Sequence, residues 1–229
     1  MPPSAPIEND EETWGDVEDA LAYDPDPLAD EESVSQVEIT ARTLKSDLKH
    51  RTLNAMKRQF LADLMPNVPA PGECWHVVSN GRFDYWTWIP VMLSYIGRVD
   101  EFYGSTWVLN RGNVLELFEL IDSGLIVKTS VLSGLFTKRR EGAVYATLLQ
   151  GMRRRGQRFV CSENHAKVTL LANFDAGTYL TIEGSANYTA NPRIEQNVLV
   201  NDEAIYRFHR DWMEEVLEHG REGEADPES

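Results

Sequence analysis

The chain of 229 residues is 42% hydrophobic and 10% aromatic, enough for the core of one sizeable domain, which excludes a wholly disordered protein. No apolar run approaches the ~18–20 residues of a transmembrane helix. The formal charge of −15 sits at the ends: residues 1–41 hold thirteen acids and no Lys or Arg, and residues 214–229 hold seven acids against Arg221, so removing −13 and −6 leaves +4 for residues 42–213.

Residues 1–35 are acidic, carry Pro at 2, 3, 6, 25 and 27, and contain few large apolar groups, which predicts a disordered tail. The start MPPSAPIENDEE has neither the basic residues nor the apolar stretch of a secretory signal, so a cytoplasmic protein is expected. Val37, Leu44, Leu48, Met56, Phe60 and Leu64 recur at helical spacing and predict a helix over 36–65. Pro66, Pro69 and Pro71 end it, so 36–72 reads as a helix and a Pro-rich linker. From Cys74 the pattern alternates. A strand is expected at 74–78, a mostly apolar helix at 84–96 with Pro90 near its start, and a strand at 98–109. A helix at 113–123 follows, closed by Gly124 in a left-handed conformation. A strand at 125–132 and a helix at 138–152 come next, then short strands at 158–161, 166–172, 178–183 and 196–200, and a final helix at 203–218. Strand–helix alternation followed by a run of strands predicts an α/β sandwich with a mixed sheet over 73–218, ahead of an acidic tail at 219–229. Tyr85, Trp86 and Trp88 read as an aromatic-rich core helix rather than a stacking surface. Cys74 and Cys161 form no CxxC, and both read as reduced, partly buried thiols without a second zinc ligand.

The informative stretch is NHAKVTLLANFDAGTYLTIEGSANYTANPRIEQN, residues 164–197. His165 and Lys167 form an H-x-K at the head of an apolar strand, and the two-residue period puts both side chains on one face. The strand TYLTIE leads into Gly184-Ser185-Ala186-Asn187, and Glu195 opens the next strand. If these strands are neighbours, His165, Lys167, Ser185, Asn187 and Glu195 converge at one end of the sheet. A neutral imidazole is a competent nucleophile towards phosphorus, and an imidazolium protonates a leaving alkoxide near neutral pH. Lysine and a carboxamide stabilise charge on non-bridging phosphoryl oxygens, while glycine lets the backbone approach and serine adds a donor. A carboxylate beside an imidazole fixes its tautomer. No group here is arranged to hold a metal or a cofactor. The chemistry implied is metal-independent phosphodiester cleavage through a phosphohistidine.

The residues HAKVTLL, EGSANYT and IEQNVLV, in that order, resemble the active-site half of the phospholipase D superfamily, and within it the short nucleases with a single H-x-K per chain. The resemblance implies a phospholipase D-like α/β/α sandwich with a mixed β-sheet, one repeat per chain. It also implies His165 as nucleophile or general acid, Lys167 and Asn187 as phosphate ligands assisted by Ser185, and Glu195 as the acid that orients the histidine. One position departs from the pattern: the family's H-x-K-x4-D ends here on Ala172, with Asp175 nearby in NFDAG.

In-line attack needs a second acid opposite the nucleophile, and none of His50, His76, His209 or His219 begins another H-x-K. A two-fold homodimer that faces two copies of His165 across one cleft is therefore expected. Nucleic acid, DNA ahead of RNA, suits the basic body and its clusters at Lys138-Arg139-Arg140 and Arg153-Arg154-Arg155. Arg153–Arg155 suit a helix C-terminus equally well, whereas Lys138–Arg140 are expected to open a helix, where cations are unfavourable, and so read as substrate-binding. Two other readings stand beside this one: a degenerate member that binds nucleic acid or protein without cutting, and a phospholipid hydrolase or transferase.

Overall fold

The computed structural model describes residues 53–189 and 193–224. The tail expected over 1–35, the first part of the helix expected over 36–65, and residues 225–229 lie outside the described residues. Residues 53–64 form helix α1. There follow β1 (Cys74–Asn80), a 3-10 turn (Tyr85–Thr87), α2 (Trp88–Ile96), β2 (Val99–Thr106), α3 (Arg111–Asp122), β3 (Ile126–Gly134), α4 (Leu135–Arg140), α5 (Gly142–Arg154), β4 (Arg158–Ser162), β5 (Val168–Asn173), β6 (Thr178–Gly184), β7 (Ile194–Asn201) and α6 (Glu203–Glu224).

Local chemistry sets several boundaries. Asn110 caps α3 by accepting from the Asn113 amide at 2.8 Å, and Gly124 ends it at φ 75°. Asp84 accepts from the Thr87 amide at 3.1 Å and starts the 3-10 turn, whose chain direction lets Pro90 fall in the first turn of α2.

The seven strands form one mixed sheet in the order β1-β7-β6-β5-β2-β3-β4. Strands β2, β3 and β4 are parallel, and every other pairing is antiparallel. Helices cover both faces, giving the α/β/α sandwich. On one face α1, α2, α3 and α5 enclose the larger core, which includes Leu61, Trp88, Met92, Leu117 and Leu148. On the other face α6 places Tyr206, Met213 and Leu217 against Tyr103, Leu132, Leu170 and Ala172. Tyr85, Trp86 and Trp88 are buried in the larger core, as expected for core aromatics.

Three expectations need correction. The helix expected over 138–152 is two helices, broken at Glu141 (φ −110°, ψ 50°). The chain leaves β3 at Gly134 and turns at once into α4, fixed there by Thr137 Oγ1 donating to the Trp107 carbonyl at 3.2 Å. Lys138, Arg139 and Arg140 therefore close a helix instead of opening one, and cations in a last turn complement the helix dipole. Cys74 is exposed rather than partly buried, because β1 is an edge strand whose outer face is covered by no helix among the described residues; Cys161 is half-buried, as expected. Helix α6 also continues to Glu224, past the expected end at 218. Among the described residues no helix is long and apolar enough to cross a membrane.

Candidate active site

The sheet topology brings the ends of β2, β3, β4 and β6 to one edge, together with the starts of β5 and β7. His165 and Lys167 lie immediately before β5, Ser185 and Asn187 immediately after β6, and Glu195 is the second residue of β7. All five sequence-selected side chains therefore sit along this edge. Lys167 Nζ lies 2.7 Å from His165 Nδ1 and donates to the His165 carbonyl at 2.8 Å. The lysine is only 9% exposed, while the imidazole is exposed. Burial pushes both groups towards their neutral forms, and the neighbouring Lys167 cation depresses the His165 pKa further. The Glu195 carboxylate acts in the opposite sense on Lys167, favouring its charged form.

Ser185 Oγ donates to Glu195 and accepts from the Gln196 amide at 3.2 Å, so the serine joins the end of β6 to the start of β7. Asn187 Oδ1 accepts from the Trp107 amide at 3.2 Å and from Thr106 Oγ1 at 3.4 Å. With its oxygen held by donors, Asn187 presents Nδ2 as a donor. Gly184 is needed for close approach. A Cβ there would meet Asn197 Oδ1, the Tyr85 ring at 2.8 Å and the Gln196 carbonyl at 3.1 Å. Asn197 Oδ1, on the same sheet row as Gly184, is buried with no hydrogen-bond partner among the described residues.

Sequence reasoning assigned no role to three further residues here. Asn164 Nδ2 donates to Ser105 Oγ at 2.9 Å and to the Thr106 carbonyl at 3.2 Å, and its Oδ1 accepts from the Ala166 amide at 3.0 Å. These bonds pin the turn that carries His165 to the end of β2. Trp107 follows β2, and its ring centre lies 5.6 Å from that of His165. Phe136, at the start of α4, packs on Trp107 at 4.4 Å between ring centres. The usable signal was positional: Trp107 stands at the C-terminal end of a central parallel strand, where α/β sheets place ligands.

The three basic residues of 138–140 divide. Arg139 and Arg140 line a cleft of ≈ 490 Å³ with Trp107, Leu135, Phe136 and His165, whereas Lys138 lies over the Tyr145 ring at 5.6 Å. Arg155 is also engaged structurally, paired with Asp122 at 2.6 Å and lying over Phe118. Ala172 is remote from this cluster. It is five residues beyond Lys167, so its side chain faces α6 on the opposite side of the sheet, fully buried. Directly across from it in the β2–β5 register stands Glu101, whose carboxylate accepts from Tyr206 Oη at 3.1 Å and lies 3.0 Å from Lys128 Nζ.

No protein-family model matches this chain. No curated protein matches it in sequence either. Solved structures similar to it include the following three. Nuc, a phospholipase D family member from Salmonella typhimurium, has a TM-score of 0.45 at 15% identity, over 62% of this chain and 93% of that one. Polyphosphate kinase from Porphyromonas gingivalis has 0.48 at 16%, over 64% and 26%. TrmBL2, an archaeal chromatin protein described as having a novel mode of DNA binding, has 0.48 at 11%, over 80% and 66%. These likenesses are weak and concern the fold; the chemistry rests on the residues of this chain.

Proposed function

We propose that the protein is a metal-independent phosphodiesterase acting on nucleic acid, DNA ahead of RNA, through a phosphohistidine at His165 in a site shared by two copies of the chain. The observation that carries this reading is the cluster of an exposed imidazole whose pKa burial and Lys167 lower, a shielded lysine 2.7 Å from it and a carboxamide whose donor end has no partner among the described residues, at one sheet edge beside two arginines. A ring nitrogen of neutral His165 attacks phosphorus. The N–P bond forms as the P–O bond to the leaving oxygen breaks, and the imidazolium of a second copy's His165 supplies that oxygen with its proton. Water then attacks the phosphohistidine, giving its proton back to the second imidazole; the P–N bond breaks and both histidines are restored. Lys167 and Asn187 Nδ2 bind the non-bridging oxygens, where negative charge gathers. Ser185 holds Glu195, and Glu195 favours the charged form of Lys167.

Cleavage of labelled DNA in EDTA, comparing wild type with His165→Ala, tests this. Wild type is expected to cut and to yield an acid-labile phosphoenzyme, and the variant to lose at least about a thousandfold in rate. Activity that survives in the variant, or that requires added metal, overturns the proposal. A protein that binds DNA but leaves it intact would instead be the non-cleaving relative. Cleavage confined to dimers is expected on sedimentation of the active fraction, and full activity in a strict monomer would exclude the shared site.

A further inference from the structure

The cleft beside His165 contains more than a phosphate needs. Its floor is aromatic: Trp107 and Phe136 pack at 4.4 Å with their planes tilted by 37°, and Trp107 continues to the His165 ring at 5.6 Å. Both rings are half-buried and border the open cleft. Gly134 makes this platform possible, since a Cβ there would meet Trp107 Cδ1 at 2.5 Å and the Trp107 and Asn164 carbonyls at 2.7 and 2.8 Å. The rim carries two cations and one acid: Arg139 and Arg140 are exposed on the last turn of α4 and form no ion pair among the described residues, and the exposed Glu163 lines the same cleft. An aromatic floor, the proposed phosphate site at its end and two guanidinium groups along its side match an unpaired nucleotide and the phosphates that flank it.

We propose that Trp107 and Phe136 form a base-stacking subsite that makes single-stranded DNA, or an unpaired stretch, the substrate of the phosphodiesterase site. This rests on the function proposed above. Bases in a duplex have both faces covered by their neighbours, so they offer no ring to this platform, whereas an unpaired base stacks on an aromatic side chain at little cost. A quaternary-ammonium lipid headgroup is the other ligand that aromatic surfaces favour. Arg139 and Arg140 outnumber Glu163 on the rim, and that net positive charge disfavours a cation and attracts a polyanion, so the nucleotide is the better match.

The test uses the full-length protein and two single-stranded probes of equal length and phosphate number, a thymidine oligonucleotide and its fully abasic counterpart, at one fixed salt concentration. Wild type is expected to bind the thymidine strand about tenfold more tightly or better. Phe136→Leu and Trp107→Leu are expected to bring that ratio close to one, and Phe136→Tyr, which keeps the π face, to preserve it. Retained binding of the abasic strand shows that each variant is folded. Equal binding of both probes by wild type, tighter binding of a duplex with the same number of phosphates, or hydrolysis of phosphatidylcholine vesicles in place of DNA overturns the subsite. Base-dependent binding without any cleavage or phosphoenzyme leaves the subsite standing and removes the enzymatic reading. Cleavage indifferent to the base does the reverse.

Discussion

Burial pushes the Lys167 ammonium towards its neutral form while the Glu195 carboxylate pulls it back, so the charge state of the lysine is set by two opposed neighbours. Removing the carboxylate leaves burial alone, and the sign follows: in Glu195→Gln the lysine loses its proton at a lower pH than in wild type. Sulfate keeps its charge throughout the alkaline range, so the pH dependence of its binding reports on the protein. The midpoint at which sulfate binding is lost should lie below the ordinary lysine value of about 10.4 in wild type and lower still in Glu195→Gln. An unmoved midpoint would mean that Glu195 acts only by holding Ser185. Ala172, where the resembled motif carries an aspartate, has a different residue-scale setting. Ala172 lies on the far face of the sheet, and the carboxylate in that neighbourhood comes from Glu101, bonded to Tyr206 and Lys128. Glu101→Ala should cost about 1–3 kcal/mol by leaving the buried Tyr206 hydroxyl and the cations of Lys128 and Arg210 less satisfied, measured by urea denaturation. Cleavage per folded molecule should be unchanged, since this cluster does not touch the site.

Among the elements, α4 matters most for the site and was the least legible in the sequence. Apolar spacing between 138 and 152 reads as one helix, and Gly142 is the one local hint of the break at Glu141. Its position comes from the tertiary contact of Thr137 with Trp107 and from the absence of a side chain at Gly134, which lets β3, the segment after β2 and the turn before His165 meet. Gly134→Ala is expected to destabilise the fold by about 1–3 kcal/mol, because two of the atoms in its way are backbone oxygens that yield only if both segments move. It should also slow cleavage, since those segments carry Trp107 and Asn164. Thermal melting alongside the DNA assay checks both; an unperturbed melting temperature would mean that the segments are looser than their packing implies.

For the molecule as a whole, the net charge of −15 is an average over unlike regions. Five of the seven acids counted with the acidic end, Glu214, Glu215, Glu218, Glu222 and Glu224, belong to α6, and Glu214 among them accepts from Tyr103 and pairs with Arg158. The basic edge that remains is narrow, so the salt dependence of binding should trace to few groups. For single-stranded DNA each neutralised phosphate contributes about 0.7 to the slope of log affinity against log salt. The double variant Arg139→Ala/Arg140→Ala should therefore flatten that slope by about 1.4. No change in slope would take both arginines out of the phosphate path.

Local period and chain order determined much of this protein. The H-x-K pattern singled out His165 and Lys167 before any strand pairing was known, although both stand on the turn ahead of β5 rather than within the strand. Glycine, asparagine and proline marked the ends of several helices. Strand order was beyond that reach, because which strands become neighbours depends on burying both faces of the sheet at once. That packing alone brought Asn164, Trp107 and Phe136, from three separate segments, to the same edge as the H-x-K. It also turned Lys138 away from the cleft while leaving Arg139 and Arg140 on its rim. The sequence by itself determined the reactive groups; their surroundings, and hence the shape of ligand they would accept, were decided by contacts between residues far apart in the chain.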